Sequence, residues 1–258
     1  MPNWAYNSMT VRSTSESKQT AIHDLQEFLE FIKVTDPETG AISYDLTKAH
    51  PMPEALMGTR SPVPYSPEPH PNWVEMLAEG QMTQERFDEL CAENIKFYEA
   101  GQKAYAETGY TDWYDWANKE WGTKWAPRFE HNDPELDEEH EQVSMYYETA
   151  WSPADGLVSK MSERFPNLVF EVSVTEEANL YVGASHFHNG VATMFYTSFD
   201  DKDLPDRYTK RYAEIVEHEA KDDIDWDSYF EKMSDLQSDV LEYCENQIAL
   251  MASFEVGS

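Results

Sequence analysis

The sequence predicts an α+β fold in which an antiparallel sheet carries helices on one face. Two patterns support this prediction. Residues 8–13 form a short strand-like segment before a helical pattern, and residues 144–196 alternate as strand, helix, strand and strand. This order is typical of a ferredoxin-like sandwich. Beyond residue 200 the pattern is entirely helical, which indicates an addition to that fold.

The first helix follows the first strand directly. Ser13 and Glu16 have the spacing of a capping box, so we expect the helix to begin close to them. Its predicted buried face consists of apolar residues that recur at intervals of three and four: Ile22, Leu25, Leu29 and Ile32.

A proline-rich segment at 51–71 separates this region from the next helices and contains seven of the fourteen prolines. Proline fixes φ and removes a backbone donor, which predicts an extended connection that wraps its own domain. The alternative is a polyproline ligand for an aromatic groove. Helical spacing then resumes from about residue 72, and we expect a helical insertion over about 72–125.

Residues 110–125 hold four of the eight tryptophans, Trp113, Trp116, Trp121 and Trp125. We interpret this segment as a structural joint between the insertion and the sheet. An aromatic ligand cage or a base-stacking platform is the alternative. Gly122 is well placed to end the helix that carries the first two tryptophans.

The second half supplies most of the predicted sheet. A strand over 144–151 leads into a helix that starts at Ser152-Pro153, and an alternating strand covers 168–174. A hairpin then pairs 180–184 with 191–196 across the segment H-F-H-N-G, in which Asn189-Gly190 is a strong turn signal. We therefore expect residues 1–200 to form one ferredoxin-like domain that contains the insertion.

Residues 201–258 are predicted to form an acidic helical extension packed on that domain, with helices over about 205–219 and 226–251. The last helix has a predicted buried stripe of Tyr229, Met233, Leu236, Val240, Cys244, Ile248 and Met251. The segment 200–258 carries 17 acids and 6 bases, which makes it strongly negative.

The charge of the whole chain restricts its partners. It has 50 acidic and 19 basic residues, a formal net charge of −31. Such a field attracts basic partners and repels nucleic acids and anionic membranes, whose binding depends on Lys and Arg. The cysteines, Cys91 and Cys244, are far apart and are expected to be buried thiols. The sequence shows no signal peptide or membrane-spanning run, so we expect a cytoplasmic protein.

Three short motifs resemble the YubB-like proteins of conjugative plasmids and tailed phages. They are the opening M-P-N-W with Asn7, the segment W-G-T-K-W at Trp121–Trp125 and the segment A-W-S-P at Ala150–Pro153. The resemblance spans about residues 1–200 and implies a ferredoxin-like domain, a mobile-element origin and residence in the host cytosol. Ala5 stands where the family pattern has cysteine. The resemblance implies no chemistry.

A search for catalytic motifs finds few candidates. His186 and His188 are two residues apart, so on a strand both would face the same way and could begin a metal site. A metal-dependent hydrolase or nucleotide-processing enzyme is therefore one hypothesis, with a plain hairpin tip as its alternative. The sequence contains no phosphate loop, zincin or nucleophile-elbow motif, and two cysteines are too few for an iron–sulfur cluster. We expect a protein that is not an enzyme and needs no cofactor.

The favoured hypothesis rests on the acids. Carboxylates four residues apart on a helix lie about 6 Å apart along its axis, which approaches the spacing of DNA phosphates. The chain would then bind and inhibit a host protein with a basic surface, such as a nucleic-acid-dependent defence factor, partly by DNA mimicry. A solvated acidic surface and a phage structural or morphogenesis protein are the alternatives. The carboxylates assigned to the contact, from the segments 130–141 and 231–245, are Glu135, Asp137, Glu138, Glu139, Glu231, Asp235, Asp239, Glu242 and Glu245.

Overall fold

The structure is a computed structural model that describes residues 3–129, 133–178, 180–219 and 225–255. Contacts divide the chain into two compact units. One unit comprises Met1–His50 and Trp121–Ser258, and the other comprises Pro51–Glu120. The second unit thus begins earlier than the insertion predicted at about 72, and the boundary at Glu120 lies inside the tryptophan-rich segment.

The described part of the chain contains eight strands and eight α-helices. The strands are β1 (Trp4–Ser13), β2 (Lys33–Thr35), β3 (Ile42–Tyr44), β4 (Glu135–Asp137), β5 (Gln142–Ala150), β6 (Leu168–Glu176), β7 (Val182–His188) and β8 (Val191–Thr197). The helices are α1 (Lys18–Ile32), α2 (Glu54–Met57), α3 (Pro71–Ala78), α4 (Gln84–Thr108), α5 (Trp113–Trp116), α6 (Asp155–Arg164), α7 (Asp206–Glu219) and α8 (Trp226–Glu255).

The larger sheet has the strand order β4-β5-β1-β6-β7-β8, and every neighbouring pair is antiparallel. Because β5 and β6 both run antiparallel to β1, they are parallel to each other, and α6 is the crossover of a split βαβ unit. The order β6-β1-β5-β4, with α1 and α6 as its helices, is the ferredoxin-like arrangement. This confirms the predicted fold class, and β7 and β8 extend the sheet at one side.

Helices α1 and α6 cover one face of this sheet, as predicted. Alternate residues of β1, such as Met9 and Val11, are fully buried on that face. The Phe28 ring of α1 contacts Phe170 of β6 edge-on, with 5.4 Å between the ring centroids. These contacts make up the main core of the ferredoxin-like part.

Helix α8 packs on the opposite face, over β6, β7 and β8. Val182 and Ala184 of β7 share a buried cluster with the α8 residues Leu236 and Val240, and α7 adds its own apolar side chains. The predicted α8 stripe is confirmed at five positions, whereas Tyr229 is partly buried and Met251 is exposed. Burial raises the pKa of the Cys244 thiol in this cluster to about 12.

Three local predictions need correction. Helix α1 is capped by Ser17, which accepts a hydrogen bond from the Thr20 amide, and not by the Ser13–Glu16 pair. The β7–β8 turn is only Asn189-Gly190, which both adopt positive φ, so His186 and His188 lie within β7. Cys91 is half-buried and not enclosed in a core, unlike Cys244.

The proline-rich segment belongs to the second unit and is fastened to α4. Asn94 of α4 donates hydrogen bonds to the carbonyls of Ser66 and Glu68, at 2.9 Å and 3.0 Å. Gly101 allows a close approach, because a Cβ at that position would lie 2.5 Å from Val63 Cγ1. The segment therefore wraps its own unit, as the sequence predicted.

Gly183 should be sensitive to the smallest substitution. In Gly183→Ala the new Cβ would lie 2.0 Å from Tyr196 Cδ1 and 2.6 Å from the Phe195 carbonyl oxygen. The crowding should lower the free energy of unfolding by about 1–3 kcal/mol, measured by urea denaturation. Gly58→Ala is the matched control, because no atom lies within 4 Å of its Cβ. Equal unfolding midpoints for the two variants would contradict this packing.

Candidate partner-binding surface

The predicted acids of α8 face away from the sheet because the opposite side of the helix is buried. Glu231, Asp235 and Glu242 are exposed along the outermost line of the helix. Over eleven residues this line extends about 16 Å. We call these three residues the α8 ridge.

The other two predicted acids of α8 lie on the flanks of the helix and are held by neighbouring elements. Asp239 forms an ion pair with Arg211 of α7. The Ser173 hydroxyl of β6 donates to Glu245 Oε1 at 2.6 Å. These two carboxylates therefore help to hold α8 in place, and the α8 ridge is the part that projects into solvent.

The second predicted group lies at the β4 end of the sheet. Glu135, Glu138 and Glu139 are exposed, whereas Asp137 organises the turn that follows β4. Its Oδ1 accepts hydrogen bonds from the amides of Glu139 and His140. These bonds, with the His140 ring close by, lower the pKa of the Asp137 carboxyl. Residues 130–132 of the predicted segment lie outside the described residues.

The two acidic groups lie on one face of the sheet but are not adjacent. Register pairs Glu135 with Ser144 and Asp137 with Gln142, which places their side chains on the face that α8 also occupies. Between β4 and β7 there are four strand spacings, or about 19 Å. The sheet between them displays Tyr6 of β1 and Tyr146 of β5.

A groove lies on this exposed part of the sheet, with a volume of about 510 Å³. Tyr6 and Tyr146 are 46% and 59% exposed there, and Leu241 of α8 lines one side. We call it the sheet groove and define it by Tyr6, Ser8, Tyr146, Ser173, Thr175 and Leu241. Sequence reasoning missed it, although the alternation in β1 and β5 places these polar and aromatic residues opposite the buried face.

Aromatic and basic side chains border the groove. The Arg128 guanidinium lies 3.7 Å from the centroid of the Trp4 ring, and its Nη2 donates to Glu148 Oε2 at 2.7 Å. Trp4 also contacts Trp125, with 6.0 Å between the ring centroids. This border shows that an arginine can be held here by an aromatic face and a carboxylate together.

The four tryptophans at 113–125 differ in their exposure. Trp116 and Trp121 are buried, and Trp121 Nε1 donates to the carbonyl oxygen of His50 at 2.8 Å. The π-helical turn Ala117–Trp121 ends before Gly122, which has a φ of +86°. Two of the four rings are therefore packed inside the protein, where they cannot line an aromatic cage.

The histidine pair, His186 and His188, lies within β7. Both side chains lie on the α8 face of β7, and His188 Nε2 is 3.0 Å from the carbonyl oxygen of Pro166. Among the residues that the structure describes, no group of three His, Cys, Asp or Glu side chains is placed to hold a metal ion.

A partly buried polar cluster lies under the opposite face of the sheet, and sequence reasoning missed it. Both oxygens of Asp155, at the start of α6, accept from the Tyr196 hydroxyl at 2.8 Å and 2.7 Å. Tyr196 reaches Asp155 by crossing Gly183, where a side chain would block the ring. Within the described residues, the buried Tyr147 hydroxyl and Asn7 Oδ1 have no hydrogen-bond partner.

Burial controls the ionisation of this cluster. It raises the pKa of Asp155 above its ordinary value, and the hydrogen bonds from Tyr196 and Ser185 only partly oppose that shift. Burial and the nearby Asp155 carboxylate raise the pKa of Tyr147 and Tyr196 in turn. Hydroxyl groups of the domain itself solvate the partly buried Asp155 carboxylate, so we assign the cluster to the structure of the domain and not to a contact surface.

The strand order and the two crossover helices define the class of the domain, which is ferredoxin-like. Comparison with known proteins agrees. Residues 120–222 match the family model described as the ferredoxin-like domain in Api92-like protein. This match covers less than half of the chain and includes β4 to β8 with α6 and α7.

One solved structure also matches, that of the protein Api92 from Yersinia pseudotuberculosis. The sequences are 9% identical, and the alignment covers 76% of this chain and 98% of that chain, with a TM-score of 0.32. A score this low does not by itself establish a common fold. No curated protein matches the sequence significantly. In the described ranges, no helix is both long and apolar enough to cross a bilayer.

Neutralising Asp155 should change how stability depends on pH. A carboxyl whose folded pKa is raised contributes stability at pH values below its unfolded pKa, and this contribution is lost as the pH rises. Asp155→Asn should therefore gain stability relative to the unsubstituted protein as the pH rises above 3.8, the ordinary value. The measurement is the free energy of unfolding at a series of pH values.

Asp137→Asn supplies a control of opposite sign. In the folded protein the pKa of the Asp137 carboxyl is lowered. The carboxyl therefore contributes stability above its unfolded pKa, and this contribution is lost as the pH falls. Relative to the unsubstituted protein, this variant should lose stability as the pH rises through the same range. Parallel pH profiles for the two variants would show that the two carboxyls do not differ as the structure implies.

Proposed function

We propose that this chain is a non-enzymatic binding protein of mobile-element origin that occupies a basic surface on a host protein. The mobile-element origin rests on the resemblance to YubB-like proteins. The observation that carries the binding proposal is the α8 ridge, which is held facing outward by the packing of the opposite side of the helix. A partner that presents Lys and Arg would meet these carboxylates without rearrangement of the domain.

The β4 acids supply a second contact for the same partner. Glu135, Glu138 and Glu139 lie on or beside the edge strand, about 19 Å of sheet away from β7. A basic surface wide enough to bind double-stranded nucleic acid could reach both groups. We infer inhibition by occupation of such a surface, with a nucleic-acid-dependent defence factor as the expected host target in the cytosol.

DNA mimicry is the finer part of this proposal. The five predicted carboxylates of α8, from Glu231 to Glu245, follow one another at axial distances of about 4.5–6 Å, whereas successive phosphates on one DNA strand are about 3.4 Å apart. The array is therefore sparser than DNA, and the ion pair of Asp239 with Arg211 reduces its charge further. Competition between this protein and duplex DNA for one partner would support mimicry, and simultaneous binding would contradict it.

Neutralising the α8 ridge should weaken capture of the partner. The variant combines Glu231→Gln, Asp235→Asn and Glu242→Gln, and it serves as bait for bacterial lysate beside the unsubstituted protein. Loss of three contact charges should reduce affinity about tenfold, because each exposed charge contributes a fraction of a kcal/mol. The captured protein should elute as salt rises from about 50 to 500 mM, since exposed charges are screened.

The control variant removes the same charge from the second unit through Glu75→Gln, Glu93→Gln and Glu99→Gln, which are all exposed. It should retain the partner. Equal loss in both variants would show that only net charge matters, and elution that is indifferent to salt would remove the electrostatic contact altogether. The proposal that binding inhibits the host protein is then tested by measuring the nucleic-acid-dependent activity of the captured protein with and without this chain.

A further inference from the structure

The sheet groove lies between the two acidic groups and has a different chemistry from either. Its floor is the uncovered part of the sheet, where Tyr6 and Tyr146 occupy diagonal positions on β1 and β5. Diagonal neighbours in a sheet are roughly 7 Å apart, so two rings can contact one flat group. A large exposed aromatic patch beside polar groups is typical of a binding surface.

The charge around this floor favours a cation. The groove and the pocket beside it include Glu148, Glu171 and Glu245. They include two guanidinium groups, Arg12 and Arg128, which form ion pairs with Glu171 and Glu148. In the groove itself Arg128 and Glu148 balance each other. The neighbouring pocket adds the unbalanced carboxylate Glu245 beside the Arg12–Glu171 pair, inside a protein whose total charge is −31.

The shape and the polar atoms favour a guanidinium over an ammonium. A guanidinium is planar, stacks on aromatic rings and carries five N–H donors, whereas an ammonium is a compact, strongly hydrated charge. Ser8, Ser173 and Thr175 place hydroxyl oxygens along the groove as acceptors. The Ser173 hydroxyl donates a hydrogen bond to Glu245, and its oxygen can accept one in turn.

The chain already holds one arginine in this way at the border of the groove. Arg128 stacks 3.7 Å from the centroid of the Trp4 ring and donates to Glu148. The groove adds a second aromatic face, that of Tyr6 and Tyr146, and hydroxyl acceptors around a volume of about 510 Å³, with the Glu245 carboxylate bonded to its Ser173.

We propose that the sheet groove is the docking site for an arginine side chain presented by the basic partner. This inference rests on the proposed function and deepens it. The acidic groups on either side attract the partner, and the tyrosine floor selects arginine over lysine at the centre of the contact. Buried aromatic–arginine contacts commonly dominate the energy of an interface, whereas charges at the rim contribute little.

A single-stranded nucleic acid is the competing occupant, because exposed aromatic residues on a sheet also stack bases. The negative charge around the groove argues against a nucleic acid as the occupant. The acids that flank the groove would repel phosphates, and both guanidiniums beside it are engaged by carboxylates.

The test compares an oligoarginine peptide with an oligolysine peptide of equal length, each titrated into the intact protein at about 50 mM salt and followed by fluorescence anisotropy. We expect oligoarginine to bind about three- to fivefold more tightly. Tyr146→Leu should abolish this preference and leave the affinity for oligolysine unchanged. Tyr146→Phe should retain the preference, because the ring face remains.

Tyr105→Leu is the matched control, since Tyr105 in the second unit is 58% exposed and should not affect either peptide. Equal binding of the two peptides, or a preference that survives Tyr146→Leu, would overturn the arginine site. Tighter binding of a single-stranded oligonucleotide that is lost in Tyr146→Leu would also overturn it and assign the groove to nucleic acid.

The same titrations separate this inference from the proposed function. If both peptides bind equally and neutralising the α8 ridge weakens both, the acidic contact stands and the arginine site fails. If neither peptide binds at low salt, the proposed function fails and the arginine site fails with it.

Discussion

The packing of α8 on the sheet is the constraint on which the rest of the surface depends. Leu236 and Val240 lie in one buried cluster with Val182 and Ala184 of β7, so the helix has only one orientation in which its apolar stripe is covered. That orientation directs the α8 ridge outward and places Leu241 beside the groove. The helix also covers β6, β7 and β8 and leaves Tyr6 of β1 and Tyr146 of β5 exposed on the same face of the sheet.

Carboxylates in this protein have different roles according to their surroundings. Desolvation raises the pKa of Asp155, which is partly buried and accepts from the Tyr196 hydroxyl. Backbone amides lower the pKa of Asp137, which lies in the turn after β4. The acids of the α8 ridge project into solvent. With 50 acidic residues in the chain, composition cannot separate these roles, because burial and hydrogen bonding set them.

Local signals predicted the elements well where one short-range rule dominates. The Asn189-Gly190 turn, the alternation of β6 and five of the seven positions of the α8 stripe were predicted correctly, since each depends on neighbouring residues. The predictions failed where a competing neighbour, the length of a turn or tertiary surroundings decided the outcome. Ser17 and not Ser13 caps α1, and the two histidines continue β7 because the turn needs only two residues. Cys91 has helical spacing like that of Cys244, but its surroundings leave it half-buried.

By itself the sequence determined the fold class, the strong negative charge and the amphipathic last helix, because composition and periodicity carry this information. Only the tertiary structure decided which acids share a face, since β4 and α8 are joined by pairing and packing between distant parts of the chain. The tertiary structure also places Tyr6 beside Tyr146, and it places the Tyr196 hydroxyl within hydrogen-bond distance of Asp155. These pairs are separated by many residues, and no periodic pattern records a contact that sheet register alone creates.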